Sequence, residues 1–239
     1  MQSQMSVPRF SETVEPQHLR LDADEWTNVY VVGDVHGCLR ELEALIDTLD
    51  PAADEAVVFV GDLVRKGPDN HGVVQYVRER ENFFTVRGNN EEKILRGEKD
   101  PDDLTEADRE WIADLPVAIS WEGHLVVHGG VDPRKSLADH DVDELENTRS
   151  LVEDGGYERP FWWDEYDGPA RVFFGHTPLA DPVLRRHAVG LDTGCVYGGE
   201  LTAFDVNADE TVTVDLGRTI EHRAEEKFVR PRRLVAARQ

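Results

Sequence analysis

Five times along this chain an apolar run stops and a glycine-flanked polar residue follows. Val29-Tyr30-Val31-Val32 breaks into Gly33-Asp34-Val35-His36-Gly37, and Val57-Val58-Phe59-Val60 into Gly61-Asp62. Phe83 to Val86 runs into Arg87-Gly88-Asn89-Asn90, and a run ending at Val127 into His128-Gly129-Gly130. The fifth, Arg171-Val172-Phe173-Phe174, gives way to Gly175-His176-Thr177-Pro178. Short apolar runs bounded by turn residues read as buried strands. In open α/β sheets, ligands gather beyond the C-terminal ends of such strands. Asp34 and His36 alternate, so persistence of strand geometry would point both to one side. Each event alone also fits a plain turn; the repetition points to a site.

Between these runs the chain supplies helices. Leu39, Leu42, Leu45, Ile46 and Leu49 fall at helical spacing over 38–49, and Pro68 opens a second helix carrying Val73, Val74 and Val77. This βαβαβ opening implies a parallel sheet. Residues 99–114 read as an acidic, peripheral helix and 141–152 as another. Val117–Trp121 and His124–Val127 flank Glu122-Gly123 as a hairpin, and strands near 187–191, 200–206 and 210–215 make the second half β-rich. Residues 1–26 read as a frayed leader, and 218–239 as an Arg-rich tail (Arg230, Arg232, Arg233, Arg238) appended to the core.

Charge narrows the partners. The 239 residues include 49 acidic and 26 basic, a formal net charge of −23. Neutralising bulk nucleic acid needs basic patches, so this balance argues against it. Lys66, Lys93, Lys99, Lys135 and Lys227 are the only lysines, and an acidic surface poor in Lys is similar to that of halophilic proteins. There is no apolar run long enough for a membrane span and no signal-peptide core, which leaves a cytoplasmic protein as the expectation. Two cysteines, Cys38 and Cys195, make no disulfide framework.

The strand-end residues Asp34, His36, Asp62, Asn89, His128 and His176 form a mixed oxygen and nitrogen donor set. Such a set suits manganese, iron or zinc better than magnesium or calcium. An Asp shared by two ions would make a two-metal clamp that activates water and holds phosphoryl oxygens. In order, the blocks Gly-Asp-Val-His-Gly (33–37), Gly-Asp-Leu-Val-Arg-Lys-Gly-Pro (61–68), Arg-Gly-Asn-Asn-Glu (87–91), Val-His-Gly-Gly (127–130) and Phe-Gly-His-Thr-Pro (174–178) resemble those of calcineurin-like metallophosphoesterases. The nearest branch is that of Ser/Thr protein phosphatases and bis(5′-nucleosyl)-tetraphosphatases. Leu191 to Ala203 is similar to the closing block of its small bacterial members.

The resemblance spans about residues 27–206 and implies a four-layer α/β/β/α sandwich, two mixed sheets flanked by helices, in a domain expected over 27–217. It implies two divalent ions, manganese first, with iron or zinc as alternatives. Asp34, His36 and Asp62 would hold one; Asp62, Asn89, His128 and His176 would hold the other. It also implies a metal-bridging hydroxide as the nucleophile. Two departures stand out. The family's general-acid His is here Asn90, and its supporting Asp is Arg65. The arginine that follows is Lys66, which keeps the charge but loses the bidentate fork. Arg65, Lys66 and Arg149 are the candidate phosphate ligands, and Asp62 and Asn90 occupy catalytic positions. General-acid help is worth roughly 10²–10⁴-fold, and its loss matters least when the leaving group is a stable anion. The expectation is hydrolysis of nucleotide polyphosphates or similar good-leaving-group substrates. The alternatives are a Ser/Thr-type protein phosphatase acting on phosphoproteins and a catalytically weak phosphate-binding regulatory module.

Overall fold

The structure, a computed structural model, describes residues 9–232. Strands β2 (Asn28–Val32), β3 (Glu55–Phe59) and β4 (Phe83–Thr85) pair in parallel, joined by α1 (Leu39–Leu49) and α2 (Asn70–Arg78). On the other side of β2, β10 (Leu201–Asp205) and β11 (Glu210–Val214) add antiparallel, completing a five-stranded mixed sheet. The second sheet has six strands in the order β1, β5, β6, β7, β9, β8. They are β1 (His18–Arg20), β5 (Ala118–Trp121), β6 (His124–Val127), β7 (Arg171–Phe174), β8 (Val183–Leu184) and β9 (Ala188–Gly190).

Period-two alternation builds the layers. Val29, Val31, Ala56 and Val58 of the first sheet meet Ile119, Val126, Phe173 and Val189 of the second in one apolar layer. Tyr30, Val32, Val57 and Phe59 face the other way, onto Leu42, Leu45, Val73 and Val77 of α1 and α2. Leu125, Val127, Val172 and Phe174 face outward onto Phe161, Trp162 and Trp163. The four-layer sandwich with two mixed sheets is therefore present. The Trp162-Trp163 pair is core, fully engaged in aromatic packing, with Trp163 stacked on Phe174 at 5.0 Å.

The ends of the chain differ from the sequence reading. Residues 9–26 are not frayed. Phe10 and Val14 are buried, and β1 pairs in parallel with β5 through His18, Leu19 and Arg20. The Arg-rich segment is likewise packed as far as residue 232, where Val229 is buried and bridges Leu179; Arg233 and Arg238 lie outside the described residues. The helix expected over 141–152 is only α5 (Val142–Asn147), because Thr148 leaves helical geometry and Ser150 bridges Phe161. The remaining helices are α3 (Asn89–Leu95), α4 (Glu106–Ala113) and α6 (Trp162–Glu165). Among the described residues, no helix is long and apolar enough to cross a membrane.

Candidate metal centre

Because β2, β3 and β4 are parallel, their C-terminal ends deliver Asp34, His36, Asp62 and Asn89 to one edge of the first sheet. Strands β6 and β7 are parallel too, and deliver His128 and His176. Ligand atoms of Asp34, His36 and Asp62, all buried, lie within 4.8 Å of one another. His128 Nε2 stands 3.4 Å from Asp62 Oδ1, and the His128 and His176 rings are 5.2 Å apart. Asn89 is more peripheral. It donates to Asn147 Oδ1 at 3.3 Å and accepts from Asn90 Nδ2 at 3.2 Å.

Strand geometry does not carry Asp34 and His36 to one side, as alternation suggested. The strand ends at Val32, and His36 turns back in with φ 52°. Of the eight non-glycine residues with left-handed φ among the described residues, five are His36, Asp62, Arg65, Lys66 and His176. Such conformations cost of order 1–3 kcal/mol each and persist where surrounding structure enforces them. Enforcement is visible at Glu91, whose buried carboxylate accepts from the backbone N–H of Asp62 (2.9 Å), Val64 (3.1 Å) and Gly88 (2.8 Å). Only glycine fits at 175, where a Cβ would come within 1.9 Å of Asp34 Oδ1.

The imidazoles are oriented by acceptors behind them. His128 Nδ1 donates to Val60 O at 2.8 Å and His36 Nδ1 to Val64 O at 3.4 Å, since a carbonyl only accepts. Both rings therefore turn Nε2 inward. His176 Nε2 accepts from Arg149 Nη2 at 2.8 Å, and His36 Nε2 from Lys66 Nζ at 2.7 Å. Burial lowers the pKa of His36, to about 3, helped by Lys66, and lowers that of His176 well below its usual value, helped by Arg149. At His128 burial opposes charge, yet Asp62 and Asp34 override it and push the pKa up to about 10. Burial raises Asp34, reinforced by Asp192, whereas at Asp62 burial is outweighed by His128, His36 and Lys66 together, which lower it.

These residues fit a divalent cation. Among the described residues, His128 Nε2 is buried without a hydrogen-bond partner, and the carboxylates around it favour positive charge at that point. Two carboxylates and inward Nε2 atoms are also the donor chemistry of borderline transition metals. A cavity of about 830 Å³ lined by Trp121, His124, Asp132, Leu137 and Tyr166 shares none of these residues.

The candidate phosphate ligands surround the centre. Arg65 Nη1 binds Asn90 Oδ1, while Asn90 Nδ2 binds Asp62 Oδ2. Arg149 adds a 2.8 Å bond from Nε to Thr177 Oγ1. Two residues escaped the sequence reading. Asp192, buried, follows β9, which is parallel to β7; it lies at a sixth strand end, and the same signal could have found it. Glu91 sits at the third position of α3 and returns to the Gly88 N–H, a position that resembles an ordinary helix cap. Of the histidines off the strand-end pattern, His140 is structural, donating from Nδ1 to Ser136 O at 2.9 Å and accepting from Asp132 N at 2.8 Å. Cys195 is buried and packed in the core under α1.

The calcineurin-like phosphoesterase family model matches residues 27–209. The asymmetrical bis(5′-nucleosyl)-tetraphosphatase PrpE of Bacillus velezensis is 30% identical, covering 77% of this chain and 91% of that protein. The symmetrical bis(5′-nucleosyl)-tetraphosphatase of a Janthinobacterium species is 26% identical, over 77% of this chain and 95% of its own length. A crystal structure of a protein assigned as a diadenosine tetraphosphatase superposes with a TM-score of 0.73 at 28% identity, covering 83% of this chain and 97% of that one. A yeast protein serine/threonine phosphatase at 17% identity and TM-score 0.60 shares the fold. Buried donors at parallel strand ends and a family match that spans every strand but β1 and β11 agree: the chain is a phosphohydrolase belonging to the calcineurin-like phosphoesterases.

Proposed function

We propose that this chain is a dinuclear-metal phosphohydrolase biased toward nucleotide polyphosphates. Asp34, His36 and Asp62 would hold one divalent cation, and Asp62, Asn89, His128 and His176 the second, with manganese the first candidate. Bound there, the cations would supply an activated water and charge stabilisation for the transferring phosphoryl group. Asp62 supports the sharing role, since it faces His36 at 3.7 Å and His128 at 3.4 Å.

The observation that carries the substrate bias is the Arg65–Asn90–Asp62 chain of hydrogen bonds. An amide has no proton to give at neutral pH, and both polar ends of Asn90 are engaged. A leaving group therefore departs without a general acid at this position. A serine alkoxide suffers most; a nucleotide leaving from a phosphoanhydride is already a stable anion. Arg65 places a fixed cation against Asn90, beside the position the acid would occupy, and Lys66 and Arg149 add two more. The names of the tetraphosphatase relatives point the same way.

The test compares kcat/KM for a dinucleoside tetraphosphate and a phosphoserine peptide. A preference for the anhydride of about 10²-fold or more is expected from the value of general-acid help. A preference for the peptide would establish the protein-phosphatase alternative instead. No turnover of either with metal bound would establish the binding-module alternative.

A further inference from the structure

Cations and aromatic rings alternate along one side of the metal centre. The Arg149 guanidinium lies 4.3 Å from the Tyr157 ring centroid, and Arg223 lies 5.6 Å from the same centroid. Arg223 Nη2 donates to the Tyr157 hydroxyl at 2.5 Å. Arg223 is also 5.1 Å from the Tyr197 ring, which in turn has Lys66 Nζ at 5.2 Å. The order is Arg149, Tyr157, Arg223, Tyr197, Lys66. Its two ends are the cations bound to His176 and His36.

The middle of this ladder comes from the C-terminal segment, beyond the 27–209 family match. That segment is fastened to the loops of the site. Ile220 and Glu221 donate to Val196 O at 3.1 and 2.9 Å, and Val229 donates to Pro178 O at 2.8 Å. Phe228 presses on Gly194, where an added Cβ would come within 2.6 Å of its ring. Val196 and Gly194 follow Asp192; Pro178 follows His176. Arg223 is half-buried between exposed neighbours at 222 and 224.

Charge makes the arrangement pointed. The chain carries −23, yet none of Lys66, Arg149 and Arg223 forms an ion pair with a carboxylate among the described residues. Arg218, five residues earlier in the same segment, is paired with Glu41 at 3.2 Å. Like charges gathered with no carboxylate in direct contact favour an incoming polyanion. Aromatic faces beside them are what a nucleobase stacks on, and Tyr157 is 38% exposed.

We propose that this ladder binds the nucleoside-phosphate half of the substrate that lies beyond the cleaved bond. Lys66, Arg149 and Arg223 take its phosphates, and Tyr157 and Tyr197 take its base. The C-terminal segment is thus a specificity element of the site. This rests on the nucleotide reading above and adds where the second half of the substrate sits.

The test is calorimetric binding to the metal-loaded full chain of two probes that are not hydrolysed. Adenosine 5′-(α,β-methylene)diphosphate and methylenediphosphonate share the bisphosphonate and differ by the nucleoside. The nucleotide is expected to bind about tenfold more tightly, the scale of one stacked base. Tyr157→Ala should reduce that preference to about twofold, and Tyr157→Phe should retain most of it because the ring stays. Arg223→Ala should weaken both probes by about tenfold, as loss of a cation from an anion site does. Equal affinity of the wild-type chain for both probes would overturn the proposal. So would an undiminished preference in a folded Tyr157→Ala chain, or unchanged affinities in a folded Arg223→Ala chain. Folding of each variant is checked by thermal melting, and Tyr157→Phe, which deletes only a hydroxyl, supplies the second variant. Nucleotide preference without hydrolysis of a dinucleoside tetraphosphate would instead sink the functional reading and leave the ladder standing.

Discussion

At the floor of the site, Asp34, Asp62 and His128 are buried, and His128 faces Asp62 at 3.4 Å; at the rim, Arg65, Lys66, Arg149 and Arg223 bond to partners that carry no fixed negative charge. The floor gathers anions and imidazoles where strands end, with positions set by backbone bonds such as Val60 O to His128 and the Glu91 N–H contacts. The rim gathers cations on loops in a chain otherwise dominated by carboxylates. A floor of that kind holds positive charge, and a rim of that kind receives negative charge. The floor therefore sets the chemistry and the rim the substrate.

Breaking the floor should have the largest effect. Asp62→Ala removes the carboxylate facing both His36 and His128. Metal-dependent turnover should fall by about 10³-fold, the upper range for removing one preorganised electrostatic partner. Elemental analysis should show less than the wild-type metal content. Activity within tenfold of wild type would dissolve the distinction between floor and rim. Next comes the support below the floor. Glu91→Ala strands three backbone N–H groups at 62, 64 and 88, and leaving buried donors unmade costs about 1–3 kcal/mol apiece. Urea unfolding should show a loss of roughly 3 kcal/mol, while Glu91→Gln, which keeps an acceptor oxygen, should lose less.

A pH series probes a third place, the edge of the second sheet at β1. Burial lowers the pKa of His18 to about 4, and its Nε2 pairs with Ser120 Oγ at 2.9 Å. The unfolded chain binds that proton first, near pH 6.5, so stability is intact above this value and is lost as pH falls toward 4. At pH 5 the loss from this group is roughly 2 kcal/mol. A His18→Asn chain should show a shallower decline, read from urea midpoints between pH 7 and 5. Altering the rim should have the smallest effect. Arg65→Ala should lower kcat/KM on a dinucleoside tetraphosphate by about tenfold, the value of one charge-assisted contact, and lower it less on an aryl phosphate.

The same contrast explains what could be read from sequence. Floor residues follow apolar strands that stop at glycine, a local pattern, so Asp34, His36, Asp62, His128 and His176 were all legible before any coordinates. Asp192 carries the pattern less plainly: a strand is expected near 187–191, but Leu191 stands between Gly190 and the carboxylate. The rim was legible only in part. Arg65 and Lys66 follow a strand end, whereas Arg223 and Tyr157 acquire meaning only from loops distant in sequence. β1 was missed because His18-Leu19-Arg20 contains a single apolar residue and its pairing partner lies a hundred positions away. The anchors of the C-terminal segment are backbone bonds to Val196 and Pro178, which leave no mark on its own composition.

The most direct measurement is hydrolysis of p-nitrophenyl phosphate by metal-stripped protein, with and without added Mn²⁺, at high salt. This ester carries a good leaving group, so it does not rely on the acid that Asn90 replaces. Turnover that appears only with metal is the result expected if the floor holds the catalytic cations. Equal turnover without metal, or none with two ions bound per chain, would contradict it.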